Sequence, residues 1–241
     1  MRTIIDPRIR TRVSVTSRNA VSVARMQAID RAAIEHFRIP RLLLMEHAGL
    51  ALARAVRPLQ PRLSRPILVC CGTGFNGGDG LAAARHLYAW GYPLRVLLTD
   101  SCASLRNEPA VYAAILRRLG VAVTECASVR ALGRVMAWWN QCALLVDALL
   151  GIGIRGMVRE PTASVIERMN RSGRPIVSAD VPSGLNADTG EVHGMAVKAT
   201  LTVTFGFIKR GCLIEDGPAH TGSLLVDPIT LPPQLLTRTH R

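Results

Sequence analysis

Residues 67–90 read ILVCCGTGFNGGDGLAAARHLYAW, and the fold turns on this stretch. Ile67 to Cys71 is an apolar run with the length and bulk of a buried strand. Gly72, Gly74, Gly77, Gly78 and Gly80 follow, five glycines in nine residues. The Ala- and Leu-rich segment from Leu81 to Trp90 then predicts a helix. Strand, glycine loop and helix in that order suit an anion. Glycine lets a ligand approach the main chain, and a helix start offers unpaired N–H groups and a partial positive charge. Asp79 is expected at that helix start, either capping it or turned toward a ligand.

The alternation extends outward. Upstream, VARMQAIDRAAIEHF places Val23, Met26, Ile29, Ala33 and Phe37 at helical spacing, and LLLMEHAGLALARAVRPL reads as a second, mostly buried helix. Downstream, strands are expected at 94–99, 121–124, 143–146 and 175–179. Helices are expected at 109–119, 129–139 and 163–169, with Gly120 ending the first and Thr162 capping the last. The tail from Leu201 is β-rich. Such alternation argues for an α/β fold with a mostly parallel sheet covered on both faces. One domain is expected over residues 19–241, with the two N-terminal helices added to it. Residues 1–18 carry Arg2, Arg8, Arg10, Arg12 and Arg18 without an apolar stretch. They are expected to be a flexible leader rather than a secretory signal, with an Arg-rich organelle presequence as the alternative.

The chain has 241 residues and a formal net charge of +13. Lysine occurs only at Lys198 and Lys209, so the charge is nearly all arginine, scattered and not interleaved with aromatics. That pattern disfavours nucleic acid as a partner, since net charge alone is weak evidence. No apolar run reaches the length of a membrane span. None of the six cysteines forms a CxxC pair, which points to buried small hydrophobes in a reducing compartment rather than zinc ligands or a disulfide framework.

Chemistry in an open α/β sheet belongs beyond the carboxyl ends of the strands. There Asp100, Asp147 and Asp180 end strands, the glycines at 151, 153 and 156 follow Asp147, and Ser183 follows Asp180. Gly72, Gly74 and Gly77 also fit G-x-G-x-x-G, with Asp100 where a ribose-binding acid would stand. That motif is weak alone, and Asp100 is read as a turn residue. Asp147, Asp180, Asn76 and Ser183 together suggest an oxygen-only cation site suited to magnesium, calcium or a monovalent ion.

The segments MQAIDRAAIE, PRLLLMEHAG, CGTGFNGGDGLAAARHL, DALLGIGIRG, DVPSGLNADTGEVHG and VKATLTVTFG, the last leading to Lys209-Arg210-Gly211, occur in this order. In this combination the chain resembles the NAD(P)H-hydrate epimerase family, the YjeF N-terminal-type domain. The resemblance implies a Rossmann-like three-layer αβα sandwich and a homodimer. It implies interconversion of the R and S forms of hydrated NADH or NADPH, with a separate dehydratase acting downstream in the cytoplasm. It further implies that Phe75, Asn76, Gly77, Gly78 and Asp79 lie on the substrate. Gly151, Ile152, Gly153, Ile154, Arg155, Gly156 and Met157 would wrap its phosphates or ribose. Asp180 would contact the hydrated ring and is expected to carry the proton transfer. Asn76, Asp147 and Ser183 would hold one potassium ion (K+). Phe75 stands where the family usually has an asparagine, His47 replaces another asparagine, and Thr200 an acid. The alternatives on the same fold are a non-catalytic nucleotide- or RNA-binding scaffold and an ordinary NAD-dependent oxidoreductase.

Overall fold

The computed structural model describes residues 20–60 and 62–236, so the expected leader at 1–18 lies outside the described residues. A short strand, Ala20–Val21 (β1), leads into helices Val23–Glu35 (α1) and Arg41–Leu59 (α2). Strand and helix then alternate through Ile67–Cys71 (β2), Phe75–Ala89 (α3), Leu94–Leu98 (β3), Asn107–Arg118 (α4) and Val123–Glu125 (β4). Two short helices, Val129–Leu132 (α5) and Trp138–Gln141 (α6), precede Leu144–Ala148 (β5), Thr162–Arg171 (α7) and Ile176–Ala179 (β6). Leu201–Phe205 (β7), Ile208–Lys209 (β8), Gly217–Thr221 (α8), Ser223–Asp227 (β9) and Pro233–Leu236 (α9) complete the described chain.

Seven strands pair in parallel in the order β4-β3-β2-β5-β6-β7-β9. The direction of winding reverses between β2 and β5, which makes their carboxyl ends the expected ligand crevice. The strand period of two sends Ile67, Val69 and Cys71 to one face and Leu68 and Cys70 to the other. The first face packs against α1 to α4 and the second against α5 to α7, giving three layers. The remaining pair, β1 with β8, is a small parallel ladder of its own that sets Val21 opposite Lys209.

α2 lies directly on α3. A β-carbon at Gly49 would stand 2.4 Å from the Ala82 β-carbon, so the two helices touch backbone to backbone there. α1 is tied down at its start, where Ser22 Oγ accepts from Arg25 N at 3.2 Å and Asp188 Oδ1 accepts from Val23 N at 2.8 Å.

Several boundaries differ from expectation. α3 begins at Phe75 rather than Leu81, and its cap is Gly74, which has no side chain to offer. Asp79 therefore lies in the second turn and does not cap. The glycines mislead because they serve close packing rather than a loop. A β-carbon at Gly77 would fall 1.8 Å from the Gly72 carbonyl oxygen, and one at Gly80 2.5 Å from the Ala148 β-carbon. The expected helix at 129–139 is broken by a 3₁₀ turn at Gly133–Val135, where glycine weakens helix. Asp147 lies inside β5, and Thr162 is the first helical residue of α7 after a Pro161 cap that makes no side-chain bond. Gly120 does follow α4 with φ 77, a left-handed stop that glycine adopts freely.

Candidate active site at the switch point

β2 ends at Cys71, and Gly72 to Gly74 turn the chain into α3. A β-carbon at Gly72 would stand 2.0 Å from the Leu149 carbonyl oxygen, so the turn after β2 abuts the turn after β5. Above these turns opens a cleft of about 1040 Å³. That is at the upper end of the roughly 300–1,000 Å³ common for small-molecule sites. Its walls come from α1 and α2, the start of α3, the 149–162 segment, and the ends of β6 and β7.

Asp180 follows β6 with φ 64, a left-handed conformation uncommon for a residue with a side chain. Its backbone is held by a bond from Asp180 N to the Val203 carbonyl at 2.7 Å. The carboxyl is held as firmly. Oδ1 accepts from Phe205 N at 3.1 Å, from Thr204 Oγ1 at 3.3 Å, and from the Lys209 ammonium. Lys209 is 1% exposed, and its ammonium also donates to the Phe205 carbonyl at 2.7 Å and to Thr204 Oγ1 at 3.2 Å. Asp180 Oδ2 receives no hydrogen bond among the described residues. Asp180 itself lines the cleft.

Two more carboxyls line the same end, Asp79 from α3 and Asp30 from α1. Burial pushes the Asp79 pKa well above the usual carboxylate range, the Asp180 and Asp30 charges push it further, and Lys209 opposes them. Burial also raises the Asp30 pKa, with Lys209 again opposing.

The expected residues sort clearly. Phe75, Asn76 and Asp79 line the cleft, as do Gly151, Ile152, Gly153, Ile154, Arg155 and Met157. Phe75 is 47% exposed at the cleft mouth, with the Arg41 guanidinium 4.4 Å from its ring centre. Gly77 and Gly78 are not among the residues lining the cleft, but each packs on one that is: a β-carbon at Gly77 would meet the Gly72 carbonyl oxygen at 1.8 Å and one at Gly78 the Met45 side chain at 2.6 Å. Gly156 bends the following loop with φ 67, and its carbonyl oxygen lies 2.8 Å from His193 Nδ1. Asp100 lines the cleft as well, and its Oδ1 accepts from Ser101 N at 2.7 Å and Ser104 Oγ at 3.2 Å in the turn after β3.

Asp147 and Ser183 lie behind the cleft wall, joined to each other and to Leu150. Asp147 is fully buried; Oδ2 accepts from Ser178 Oγ at 2.8 Å and Ser183 N at 2.9 Å, while Oδ1 accepts from Ser183 Oγ at 2.5 Å. Burial raises the Asp147 pKa and these bonds, with one from Leu149 N, pull it back. Ser183 Oγ and Asn76 Nδ2 both reach the Leu150 carbonyl, at 3.1 Å and 2.9 Å. Asn76, Leu150, Ser183 and Asp147 are thus one connected oxygen-rich cluster.

Sequence reasoning missed Lys209 and Asp30 as site residues. Asp30 carries no local signal. Lys209 carries a faint one, since it is one of two lysines in a chain with 30 Lys and Arg residues.

A doubly wound α/β domain with an acid-lined cleft at its switch point defines the class. The model for the YjeF-related protein N-terminus matches residues 41–211, and the chain belongs to that family. It is 46% identical over 217 residues to the bifunctional NAD(P)H-hydrate repair enzyme Nnr of Pyrobaculum aerophilum, covering 89% of this chain and 42% of that protein. The chain therefore spans about two fifths of that relative's length. It is 39% identical over 207 residues to the NAD(P)H-hydrate epimerase of Limosilactobacillus fermentum, covering 86% of this chain and 95% of that one. Among solved structures, yeast YNL200c superposes with a TM-score of 0.72 at 25% identity, covering 86% of each chain. Among the described residues no helix is long and apolar enough to cross a membrane.

Proposed function

We propose that this chain interconverts the R and S forms of hydrated NADH and NADPH. The observation that carries the reading is the likeness to an NAD(P)H-hydrate epimerase along nearly that protein's whole length. The cleft supports it with a carboxylate suited to proton transfer. Hydration leaves a hydroxyl on the carbon beside the ring nitrogen. Inverting that carbon, by loss and return of water or by ring opening and closure, needs a group that gives and takes a proton. Asp180 is that group: Lys209 and the Phe205 N–H fix Oδ1, and Oδ2 carries no bond of its own. The segment from Gly151 to Met157 and Phe75 hold the rest of the substrate.

One potassium ion is the proposed cofactor, held by Asn76, Asp147 and Ser183. The donor set fits a hard cation, because it is all oxygen, and the buried Asp147 charge makes no salt bridge among the described residues. Such an ion supplies a fixed positive charge behind the cleft wall. A homodimer, and a dehydratase that consumes one epimer, complete the proposal.

The test is direct. A purified single epimer of hydrated NADPH, incubated with the protein in potassium buffer, should yield the other epimer by chromatography faster than buffer alone does. Asp180→Asn should lower that rate by about 10²–10⁴-fold, the usual loss on removing a general acid–base group. No acceleration by the wild-type chain would refute the reading.

A further inference from the structure

The cleft holds more carboxyl groups than a single acid–base residue requires, and their surroundings differ. Asp180 Oδ1 is crowded by donors. Asp79 lines the same cleft yet receives no hydrogen bond among the described residues. Its helical turn is pressed onto the sheet, since a β-carbon at neighbouring Gly80 would stand 2.9 Å from Cys71 Sγ and 2.5 Å from the Ala148 β-carbon. A carboxyl fixed on that turn has no protein donor for its oxygens among the described residues, and Lys209 is the cation that opposes the neighbouring acids.

We propose that Asp79 is a second catalytic carboxyl, giving a proton to the departing hydroxyl of the hydrated ring while Asp180 takes one from the incoming water. The assignment rests on the epimerase reading and deepens it. Two carboxyls with opposed environments divide the acid and base roles between them. The charged and titratable groups whose electrostatics couple to Asp79 are Asp180, Asp30 on α1, Lys209 on β8, Cys71 on β2 and Tyr112 on α4. Burial and the two aspartates favour its neutral form, against Lys209.

The step balances. The Asp79 O–H protonates the hydroxyl, the C–O bond breaks, and water leaves as the ring nitrogen's lone pair forms an iminium. Water adds to the opposite face through a new C–O bond, and its proton passes to Asp180. Asp79 is then ionised and Asp180 protonated. Both carboxyls line the open cleft, so Asp180 releases its proton to solvent water and Asp79 takes one up, which restores the starting state before the next turnover.

The test compares wild type with Asp79→Asn on a purified single epimer of hydrated NADPH. Expected are a kcat lowered by about 10²-fold or more, a KM changed little, and loss of the alkaline limb of the kcat–pH profile. Wild type should also show an infrared band of a protonated carboxyl at neutral pH that Asp79→Asn lacks. Wild-type kcat in the variant, a raised KM with kcat kept, or no such band overturns the inference and leaves the epimerase reading standing. A variant that does not fold overturns it too, because asparagine only replaces a neutral group of the same shape. A wild-type chain without epimerase activity overturns the reading and the inference with it.

Discussion

The Lys209 ammonium is buried against Asp180 Oδ1, with the Phe205 carbonyl and Thr204 hydroxyl taking its other protons. It holds the carboxylate by charge as well as by geometry. Removing one partner of a buried pair strands the other, at a cost of about 3–5 kcal/mol. Lys209→Met should lose stability in that range in urea unfolding, together with epimerase activity. The double variant Lys209→Met/Asp180→Asn should recover part of the stability and none of the activity. Additive losses in that cycle would mean that the two residues are not coupled.

The glycines around α3 give a paired prediction. Alanine at Gly77 would drive a β-carbon against the Gly72 backbone, whereas nothing lies within 4 Å of one at Gly74, whose φ is −81. Gly77→Ala should therefore cost about 1–3 kcal/mol, as overpacking does. Gly74→Ala should leave the melting temperature nearly unchanged. Thermal unfolding of both variants distinguishes packing glycines from glycines of a free loop.

Asp79 makes the fold pH-dependent in a direction opposite to that of most carboxylates. Its pKa is higher folded than unfolded. The folded state therefore binds more protons, and stability falls as pH rises from the unfolded value of about 3.9 upward. Asp79→Asn removes this loss. The variant should melt higher than wild type at pH 8, with the gap closing near pH 4. A variant less stable than wild type at pH 8 contradicts the burial argument.

Potassium should raise the melting temperature of the wild-type chain relative to tetramethylammonium, since a ligand that binds only the folded state stabilises it. Ser183→Ala should abolish that difference. It should also cost about 1–3 kcal/mol, because Asp147 Oδ1 and Leu150 N each lose a buried partner. An equal response to both cations in wild type would argue against the ion.

The sheet and its active edge were legible because they rest on strong periodic signals. Ile67–Cys71 is uniformly apolar, as a central parallel strand must be, Asp180 stands just past its strand, and Asp147 is the next-to-last residue of its own. The start of α3 was not legible. Glycine reports conformational freedom, and nothing local says that Gly77 and Gly80 spend it on contact with Gly72 and Ala148. Asp30 and Lys209 were hidden for another reason. Each reaches the cleft through tertiary placement, one from the first helix and one from a short strand late in the chain. Asn76, Asp147 and Ser183 could be grouped by sequence, but only the structure shows Leu150 as the carbonyl between Asn76 and Ser183.

The ladder that sets Val21 beside Lys209 imposes a timetable on biosynthesis. Val21 is translated well before its β-partner, which follows most of the sheet. Until Lys209 appears, Asp180 lacks its counter-ion and the first helix lacks part of its anchorage. Closing that ladder joins residues from opposite ends of the described chain, and long-range pairings of this kind are slow to form.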